Sequence, residues 1–557
     1  MSNKLRVGII LDDCKQPEFI WDFIEKSKFG KYFSIELLVI QKKNVKEDNI
    51  FNKLFSHLKR KGVKSLIRRI SFSLIEVLEK TIFKSNKELT NFYKKYDLKK
   101  INIKKLSVYP NISKSGFIYK YSKNDLEKIQ DENLDVLVRG GSGILRGDIL
   151  TLCKYGIISF HHGNNDINRG GPPGFWEVYN REPSTGFIIQ KLKNELDGGD
   201  VLFKGEIMTS SIYSINMARL ITKANIFLFK ILEKIGKNNS LPEIYPVSPY
   251  DRLLYRIPST TVQIRYILKT LTHNLKKILR KIFNKSYRWG VGYQFTDDWQ
   301  NAVLWKSKTI DNPRGHFLAD PFVIFKKNKY ICFVENYSFK TKKGHISVYE
   351  INKNGYLYLG DALKEDFHLS YPYLFEHNDS LFMCPETSKN NDIRIYKCVE
   401  FPLSWKLHKI LIKNIDACDT NIFFHQKKWW IMTNVDSSNI GDHNSELHIY
   451  YSDSLDSQEW IPHPENPIIF DSNKARNGGL LKKNGDLYRV FQVQDWDFYG
   501  KSIGIAKIET LTEKNYSEKI IHEVQPRFFE NIDGIHTYNF DEGLLTFDFI
   551  KKNNGAK

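Results

Sequence analysis

The 557-residue chain has few cysteines and lacks any long apolar run. Its six cysteines show neither Cys-x-x-Cys spacing nor the Cys/His spacing of zinc sites, so reduced thiols and no metal are expected. No run of 18 or more apolar residues occurs, which predicts that no helix spans a membrane. The polar start MSNKLRVG is unlike a signal peptide, so a cytoplasmic location is expected.

Acidic residues are scarce in the first half of the chain. Of the 84 Lys+Arg and 64 Asp+Glu, residues 293–557 hold 32 and 36, which leaves 52 and 28 in residues 1–292. The formal net charge of +20 therefore belongs entirely to the N-terminal half. Much of this charge lies in 59–104, which is predicted as a Lys-rich helical insertion, and in 262–285.

The segment 262–285 contains no acidic residue and has apolar residues at helical spacing, with Lys and Arg on the other side. Such an amphipathic helix can lie on an anionic membrane surface. A solvated linker helix or a surface for a partner protein explains the same pattern, and phosphate backbones also attract basic surfaces. Peripheral contact of 262–285 with the inner face of a membrane therefore stays open beside these alternatives, and no specific nucleic-acid partner is expected.

Short strands and helices alternate at the start of the chain. Residues 4–11 and 34–40 are apolar runs suited to buried strands, and a helical stretch near 18–26 separates them. A further buried strand at 134–139 ends in Gly140, Gly141, Ser142 and Gly143. This turn lacks the Lys of a P-loop and the spacing of a dinucleotide fingerprint, so a plain strand-to-helix turn remains open beside ligand binding.

The segment 156–202 carries the strongest chemical signal. The side chains of Ser159 and His161 are expected on the same side of its apolar strand, because side chains alternate along a strand. Ligands of open α/β sheets sit at the carboxyl ends of strands, and a histidine there is suited to general acid or base catalysis. Asp197, followed by two glycines, is the candidate carboxylate that orients it. A purely structural histidine is the competing interpretation.

The order of motifs in this segment resembles the folate-dependent formyltransferase family, which includes glycinamide ribonucleotide, methionyl-tRNA and amino-sugar formyltransferases. In that family a strand carries Asn-x-His, a loop carries Arg-Gly-x-x-Pro with an aromatic after it, and Leu-Asp-x-Gly follows. The chain has Ser159-Phe160-His161, then Arg169-Gly170-Gly171-Pro172-Pro173 with Trp176, and then Leu196-Asp197-Gly198-Gly199-Asp200. The resemblance covers roughly residues 1–235 and is clearest over 133–205.

The resemblance implies a Rossmann-like α/β fold that transfers formyl from 10-formyltetrahydrofolate to an amine. It implies that His161 is the catalytic imidazole and that Asp197 supports it. It also places the Gly-rich turn at 140–143 and Asp200 beside the folate. A substrate loop would consist of Arg169, Gly170, Pro172 and Trp176.

Ser159 stands where the family has Asn, and its hydroxyl offers one donor in place of an amide NH2. If that hydroxyl reaches the oxyanion of the tetrahedral intermediate, directly or through a water, formyl transfer continues. If it does not, the rate falls by about a hundredfold to a thousandfold. Because His161 and Asp197 are both kept, an active enzyme is expected.

From about residue 293 the pattern changes to many short strands, and a motif recurs at intervals near 50 residues. Five such repeats predict a five-bladed β-propeller with one blade per repeat. The expected fold class is therefore an α/β Rossmann-like formyltransferase domain followed by an all-β propeller. The predicted domains are 1–238 with a basic helical insertion near 45–105, a linker with an amphipathic helix at 239–292, and the propeller at 293–557.

The propeller half resembles five-bladed glycoside hydrolases that act on furanosides and pentosides. It resembles more closely the propeller-like N-terminal domain of plant inositolphosphorylceramide glucosaminyltransferases. Polar residues of the repeats are expected to line the central channel: Asp320, Glu335, Tyr371, Glu386, Asp419, Asn477 and His536. Asp320 and Glu386 are a candidate pair for glycoside hydrolysis, but strand capping or glycan binding without cleavage is the preferred interpretation.

Two functions remain open from the sequence. The preferred one is formyl transfer from 10-formyltetrahydrofolate, as co-substrate, to a nucleotide- or lipid-linked amino sugar in surface polysaccharide synthesis. The alternative is a glycan-binding or glycan-cleaving propeller protein whose formyltransferase-like domain is a degenerate scaffold. Fusion to a propeller points to a sugar-bearing substrate by fold analogy alone.

Overall fold

The computed structural model describes residues 4–42, 50–195, 198–246, 249–282 and 287–552. It divides into two compact units, Met1–Thr272 and His273–Lys557. The first is an α/β unit and the second consists of β-sheets, so the predicted fold class is confirmed. The unit boundary falls inside the segment 239–292, and the division into three parts stays a prediction.

The first unit is built on a seven-stranded sheet of order β12-β11-β10-β8-β1-β3-β5. Its strands and those of two small sheets are β1 (Leu5–Leu11), β2 (Lys15–Pro17), β3 (Phe33–Gln41), β4 (Lys95–Asp97), β5 (Lys104–Val108), β6 (Asn111–Ile112), β7 (Ile118–Lys120), β8 (Val136–Arg139), β9 (Ile144–Arg146), β10 (Ile157–His161), β11 (Ser184–Lys191) and β12 (Asp200–Met208). The strands β5, β3, β1, β8 and β10 are parallel, and β11 and β12 are antiparallel.

The strands of this sheet are runs of apolar residues because the sheet is buried. Six of the seven residues of β1 are buried, because helices cover both faces of a parallel sheet. The helices are α1 (Glu18–Ser27), α2 (Ile50–Ile82), α3 (Lys87–Tyr93), α4 (Lys123–Gln130), α5 (Phe175–Asn180), α6 (Tyr213–Asn238) and α7 (Thr260–Ile282). None of the described helices is long and apolar enough to cross a bilayer.

The basic insertion is helical over a shorter stretch than the sequence predicts. Its helices α2 and α3 end at Tyr93, and the chain then forms the short strand β4 and the sheet strand β5. Residues 104–108 leave the helical pattern because they pair with β3 at the edge of the main sheet. Residues 43–49 lie outside the described part of the chain.

Polar residues lie at the edge of the main sheet where β1, β8 and β10 end. Arg139 is the last residue of β8 and pairs in register with Ser159 of β10 and with Ile10 of β1. Two residues further along β10, His161 ends the strand. Because parallel strands finish at the same edge, these polar residues lie near one another there, and a ligand site at this edge stays a prediction.

The second unit contains five sheets, each one blade of a propeller. Its strands are β13 (Tyr287–Phe295), β14 (Lys308–Ile310), β15 (His316–Lys326), β16 (Lys329–Ser338), β17 (Lys343–Asn352), β18 (Gly355–Leu363), β19 (Ser370–His377), β20 (Ser380–Glu386), β21 (Asp392–Glu400), β22 (Ser404–Lys413), β23 (Ala417–His425), β24 (Lys428–Val435), β25 (Glu446–Ser452), β26 (Ile461–Pro462), β27 (Ile469–Phe470), β28 (Asn477–Lys483), β29 (Asp486–Asp495), β30 (Phe498–Leu511), β31 (Tyr516–Val524), β32 (Ile532–Gly534), β33 (Tyr538–Asp541) and β34 (Leu544–Lys552).

One blade joins the two ends of the propeller. The strand β13 pairs antiparallel with β34 from Tyr287 opposite Lys552 to Phe295 opposite Leu544. The other four blades are meanders of consecutive strands, β15–β18, β19–β22, β23–β26 and β28–β31. Closure therefore depends on pairing between segments about 250 residues apart, which removes the open edges that a row of blades would leave.

A bulge recurs on the first strand of three successive blades. Asp320, Tyr371 and Asp419 each have a positive φ of 46–48°, and each lies within an interruption of the register between the first two strands. A non-glycine residue in this left-handed region is uncommon and marks a place where the surroundings dictate the backbone. The bulge lies at the polar motif of each repeat.

Candidate active site

The strand edge of the first unit brings Arg139 onto Ser159. Arg139 Nη1 donates to Ser159 Oγ at 3.4 Å, and Nη2 donates to the Gly143 carbonyl at 2.5 Å. The Ser159 hydroxyl itself donates to the Phe160 carbonyl at 3.1 Å, and the residue is only 2% exposed. Ser159 therefore already has both a donor and an acceptor, and the guanidinium places a positive charge beside it.

His161 is half-buried at the end of β10. Its Nε2 lies 3.1 Å from the Asn168 carbonyl, which can only accept a hydrogen bond. The neutral ring therefore carries its proton on Nε2 and leaves Nδ1 with a lone pair. Asn168 is fixed in turn by donation from its Nδ2 to the buried carboxylate of Glu177, at 2.8 Å. This chain of contacts orients the imidazole.

His162 was not singled out by the sequence, yet it lies beside this edge. Burial, followed by His161 and Arg139, lowers the pKa of His162 to about 3. Its ring stacks on Phe160 with 5.4 Å between centroids, and its Nε2 is buried. His162 is neutral at physiological pH and serves as packing, so the two neighbouring histidines have different roles.

The substrate loop predicted from Arg169, Gly170, Pro172 and Trp176 is held by the segment 250–255. The Arg169 guanidinium lies 4.6 Å from the Tyr250 ring centroid. The Trp176 ring stacks on Tyr255 at 4.8 Å, and its Nε1 donates to the Gly171 carbonyl at 3.3 Å. Gly170 has φ +106°, and a Cβ there would lie 2.1 Å from the Tyr255 carbonyl oxygen, so only glycine fits. The peptide bond between Gly171 and Pro172 is cis.

The predicted folate turn packs against the ends of β1 and β3. The Asp12 carboxylate accepts the backbone N–H of Ser142 at 3.0 and 3.1 Å. Gln41 Nε2 donates to Asp12 at 3.2 Å and to the Ser142 carbonyl at 3.3 Å. Sequence reasoning missed both Asp12 and Gln41, because neither lies in a motif. Contact of Gly140, Gly141 and Gly143 with folate stays a prediction.

Asp197, the predicted partner of His161, lies outside the described residues. Asp200, assigned to the cofactor site by resemblance, forms an ion pair with Lys193 at 2.5 Å. Lys193 therefore neutralises the charge of Asp200 within the first unit. Roles of these two aspartates in catalysis and in folate binding stay predictions.

The propeller has a second cluster of buried charged groups where its ends close. His536 Nε2 lies 3.0 Å from Asp320 and its Nδ1 lies 2.8 Å from Asp548. Burial alone lowers the pKa of His536, but Asp548 and Asp320 outweigh burial and raise it to about 10. The pKa of Asp320 is lowered, because His536 outweighs the opposing effect of burial. The sequence singled out Asp320 and His536 but missed Asp548.

Arg476 is the second cation of this cluster. Its Nε donates to Asp419 at 2.7 Å, and its guanidinium lies 5.0 Å from the Tyr499 ring centroid. Gln492 Nε2 donates to the same Asp419 oxygen at 3.0 Å. The position of Asp419 in a central channel stays a prediction, and sequence reasoning did not assign Arg476 to this cluster.

Two glutamates at the hairpin positions have raised pKa values. Burial, followed by Asp419, raises the pKa of Glu386 to about 7, although Arg476 and His443 act in the opposite direction. Burial, followed by Asp320 and Glu386, raises the pKa of Glu335 well above its usual range. His368 Nδ1 accepts the Gly344 N–H at 2.8 Å, so its Nε2 proton points to Glu335 at 3.5 Å. The cluster combines ionised and protonated carboxyl groups.

Tyr371 and Asn477 have structural partners rather than open faces. The Tyr371 hydroxyl donates to Asn421 at 2.9 Å, and the side chain is fully buried. Asn477 Nδ2 donates to the carbonyls of Asp419 and Met432 at 2.9 and 3.1 Å. These contacts tie neighbouring blades together, which favours the interpretation that part of the predicted channel set caps strands.

Within the described part of the chain, two triads of ligand-type side chains lie close enough to share an ion: Asp320, His536 and Asp548, and Glu386, Cys418 and Asp419. In the first triad the protonated ring of His536 is itself a cation. The second lies beside the guanidinium of Arg476. A metal would have to compete with these fixed positive charges, so the residues present suit an internal ion-pair network better.

The fold is an α/β unit followed by a β-propeller, each with a cluster of polar and charged side chains. Residues 300–542 match the family "Glucosamine inositolphosphorylceramide transferase 1, N-terminal". Glucosamine inositolphosphorylceramide transferase 1 of Arabidopsis thaliana is 34% identical over 245 residues, which are 42% of this chain and 32% of the relative. The chain thus spans about a third of the length of this relative.

Formyltransferases form the second group of homologues. Methionyl-tRNA formyltransferase of Clostridium beijerinckii is 30% identical over 125 residues, which are 21% of this chain and 39% of the relative. Among solved structures, the catalytic domain of the Coprinopsis cinerea GH62 α-L-arabinofuranosidase matches 48% of this chain and 98% of its own, at 10% identity and a TM-score of 0.32. The suspected resemblance of the chain to formyltransferases and to the N-terminal domain of glucosamine inositolphosphorylceramide transferase 1 is confirmed.

Proposed function

We propose that this chain transfers the formyl group of 10-formyltetrahydrofolate to the amine of a nucleotide- or lipid-linked amino sugar, in surface polysaccharide synthesis. The observation that carries this proposal is the strand edge at which His161, Ser159 and Arg139 meet. The formyltransferase homologues support one-carbon transfer. The match of the propeller to a glucosaminyltransferase family supports a sugar-bearing substrate.

In the proposed reaction the neutral amine attacks the formyl carbon. A carbon–nitrogen bond forms, and the bond from the formyl carbon to N10 of the folate then breaks. Nδ1 of His161 takes the proton that the amine loses and returns it to the departing nitrogen. Asp197 would support the imidazolium. Fixed donors must stabilise the oxyanion of the tetrahedral intermediate.

Arg139 is the group that we assign to this oxyanion. The Ser159 hydroxyl donates to a backbone carbonyl, so it does not by itself replace the amide of an asparagine. The guanidinium, 3.4 Å from Ser159 Oγ, brings a permanent positive charge to the same position. The substitution of Asn by Ser is then compatible with activity, because the stabilising charge comes from β8.

The test is incubation of the full chain with 10-formyltetrahydrofolate and a panel of nucleotide-linked amino sugars, following tetrahydrofolate release and the mass of the sugar. We expect loss of transfer in His161→Gln and a decrease of about a hundredfold to a thousandfold in kcat for Arg139→Met. The matched control Lys154→Met changes an exposed cation on the same unit and should leave kcat unchanged. Retained transfer in His161→Gln contradicts the assigned role, and absence of folate binding contradicts the whole proposal.

A second candidate function rests on the propeller cluster. In glycoside hydrolysis Glu386, whose pKa burial raises to about 7, would serve as the acid and Asp320, whose pKa is lowered, as the base. We infer glycan binding or cleavage as the alternative activity of this unit. Hydrolysis of aryl glycosides and binding of oligosaccharides should be compared for the native chain and Glu386→Gln. Binding with loss of cleavage in the variant supports this function, and absence of any binding removes it.

A further inference from the structure

The helices α2 and α7 each carry an apolar stripe that the first unit leaves uncovered. On α2 the stripe consists of Val63, Ile67, Ile70, Leu74 and Val77, which are 49–62% exposed. Their spacing is four, three, four and three residues. Because residues three and four apart share one face of a helix, the five side chains form a continuous surface.

The same spacing recurs on α7 within the first unit. Ile264, Leu268 and Leu271 are 56–60% exposed and lie four and three residues apart. Exposed apolar side chains scattered singly need no explanation, but contiguous apolar patches of this kind mark interaction surfaces. Together the two helices present eight such side chains.

The two helices that carry the stripes are hydrogen-bonded to each other and to α6. Gln263 Nε2 of α7 donates to the Arg68 carbonyl of α2 at 2.9 Å, and Tyr266 donates its hydroxyl proton to Glu79. Glu79 also accepts the backbone N–H and hydroxyl of Ser214 at the start of α6, at 2.8 and 2.6 Å. Both helices therefore turn one face to the core and expose the apolar stripe on another.

The charge around the stripes has one sign. Exposed basic side chains accompany the apolar residues on both helices: Lys64, Arg68, Arg69, Arg265 and Lys269. Residues 260–272 contain no Asp or Glu, and residues 62–82 contain only Glu76 and Glu79. These two glutamates accept hydrogen bonds from Tyr213 and Tyr266, so they are directed to the core side. The exposed surface is apolar and cationic.

We infer that the face formed by α2 and the first part of α7 docks on the surface of an anionic phospholipid bilayer. Apolar side chains enter the interface, and the flanking Lys and Arg pair with lipid phosphates, which is the combination that holds peripheral helices on membranes. A second copy of the chain is the less suitable occupant, because it would bring two sets of like charges together. This inference does not depend on the proposed formyl transfer.

The test is co-sedimentation of the full chain with vesicles of phosphatidylcholine alone and of phosphatidylcholine mixed with phosphatidylglycerol. We expect binding to the mixed vesicles that weakens with added salt, and little binding to phosphatidylcholine. Leu74→Asp and Leu271→Asp should each weaken binding about tenfold or more, since each places a negative charge in the interface. In Leu271→Trp the emission of the new tryptophan should shift to the blue on mixed vesicles only.

The matched control is Leu253→Asp, which makes the same change at a side chain that is 84% exposed outside the two helices. It should bind as the native chain does. Equal binding of Leu74→Asp, Leu271→Asp and the native chain would overturn the inference, as would binding that ignores lipid charge. A dimer in solution that Leu74→Asp dissociates, without vesicle binding, would assign the face to self-association instead.

Discussion

Asp548 is expected to be the residue on which closure of the propeller most depends. It is fully buried on β34, in the blade that joins the two ends. One carboxylate oxygen accepts the N–H groups of His536 and Thr537 at 2.9 and 3.0 Å. The other accepts the N–H of Asp320 at 3.1 Å and lies 2.8 Å from the His536 ring. A single carboxylate therefore connects the first and last repeats.

Replacement of Asp548 by Asn converts one acceptor oxygen into a donor. At least one of these buried N–H groups then lacks an acceptor, which costs about 1–3 kcal/mol. The buried His536 cation also loses one of its two counter-charges, and breaking a buried pair costs about 3–5 kcal/mol. Because the two losses overlap, we expect the free energy of unfolding of the second unit to fall by about 4 kcal/mol.

Urea unfolding followed by tryptophan fluorescence measures this change. Eight of the ten tryptophans lie after residue 272, so the signal reports mainly on the propeller. With an m value of about 3–4 kcal/mol per molar, the midpoint should fall by about 1 M. The control is Asp456→Asn, whose carboxylate is 65% exposed and pairs with His408, and a change within about 0.5 kcal/mol is expected. Equal midpoints in the two variants would refute the reasoning.

The same cluster predicts how stability depends on pH. The pKa of His536 is about 10 when folded, against about 6.5 for an unfolded chain. A raised histidine pKa stabilises the fold fully below about pH 6.5, and this contribution disappears as the pH rises through about 10. The difference in midpoint between the native chain and Asp548→Asn should therefore narrow from pH 6.5 to pH 10. A constant difference would mean that His536 is neutral throughout.

Two further predictions concern other buried groups. Arg489 is fully buried and donates to Glu518 at 2.6 and 2.8 Å. Because Arg489→Met leaves the buried Glu518 carboxylate without its counter-charge, we expect the free energy of unfolding of the second unit to fall by about 3–5 kcal/mol. The same urea assay measures this change. His162, whose pKa burial lowers to about 3, stabilises the first unit only while neutral. Its contribution is therefore lost as the pH falls from about 6.5 to 3, and hydrogen exchange of β10 at two pH values should show this loss in the native chain but not in His162→Phe.

The fold could be predicted from the sequence where local patterns decide it. The strand runs at 4–11, 34–40 and 134–139 are buried strands in the structure, because a parallel sheet covered on both faces needs continuous apolar residues. The recurring turn-and-hairpin motif predicted one blade per repeat, which the five sheets of the second unit confirm among the described residues. The strands and the repeats depend on short segments, in which the spacing of apolar and polar residues indicates the structure.

Contacts between distant segments could not be predicted in the same way. Asp548 lies within TFDF, a pattern that also fits a solvent-facing side chain, and only the pairing of β34 with β13 and β33 buries it. Arg139 reaches Ser159 because β8 and β10 are neighbours in the sheet. The basic segments near 59–104 and 262–285 were read separately, although the helices that they form share hydrogen bonds.

By itself the sequence determined the α/β order, the propeller repeats, the formyltransferase motifs and the uneven charge. Each follows from residues close together in the chain, through strand alternation, helical spacing or turn chemistry. Only the tertiary structure decided that Arg139 lies beside Ser159, that Asp548 connects the first and last repeats of the propeller, and that α2 and α7 share hydrogen bonds. Those contacts join segments that lie far apart in the sequence. They form only when folding places particular strands and helices side by side, where burial and charge pairing stabilise the contacts.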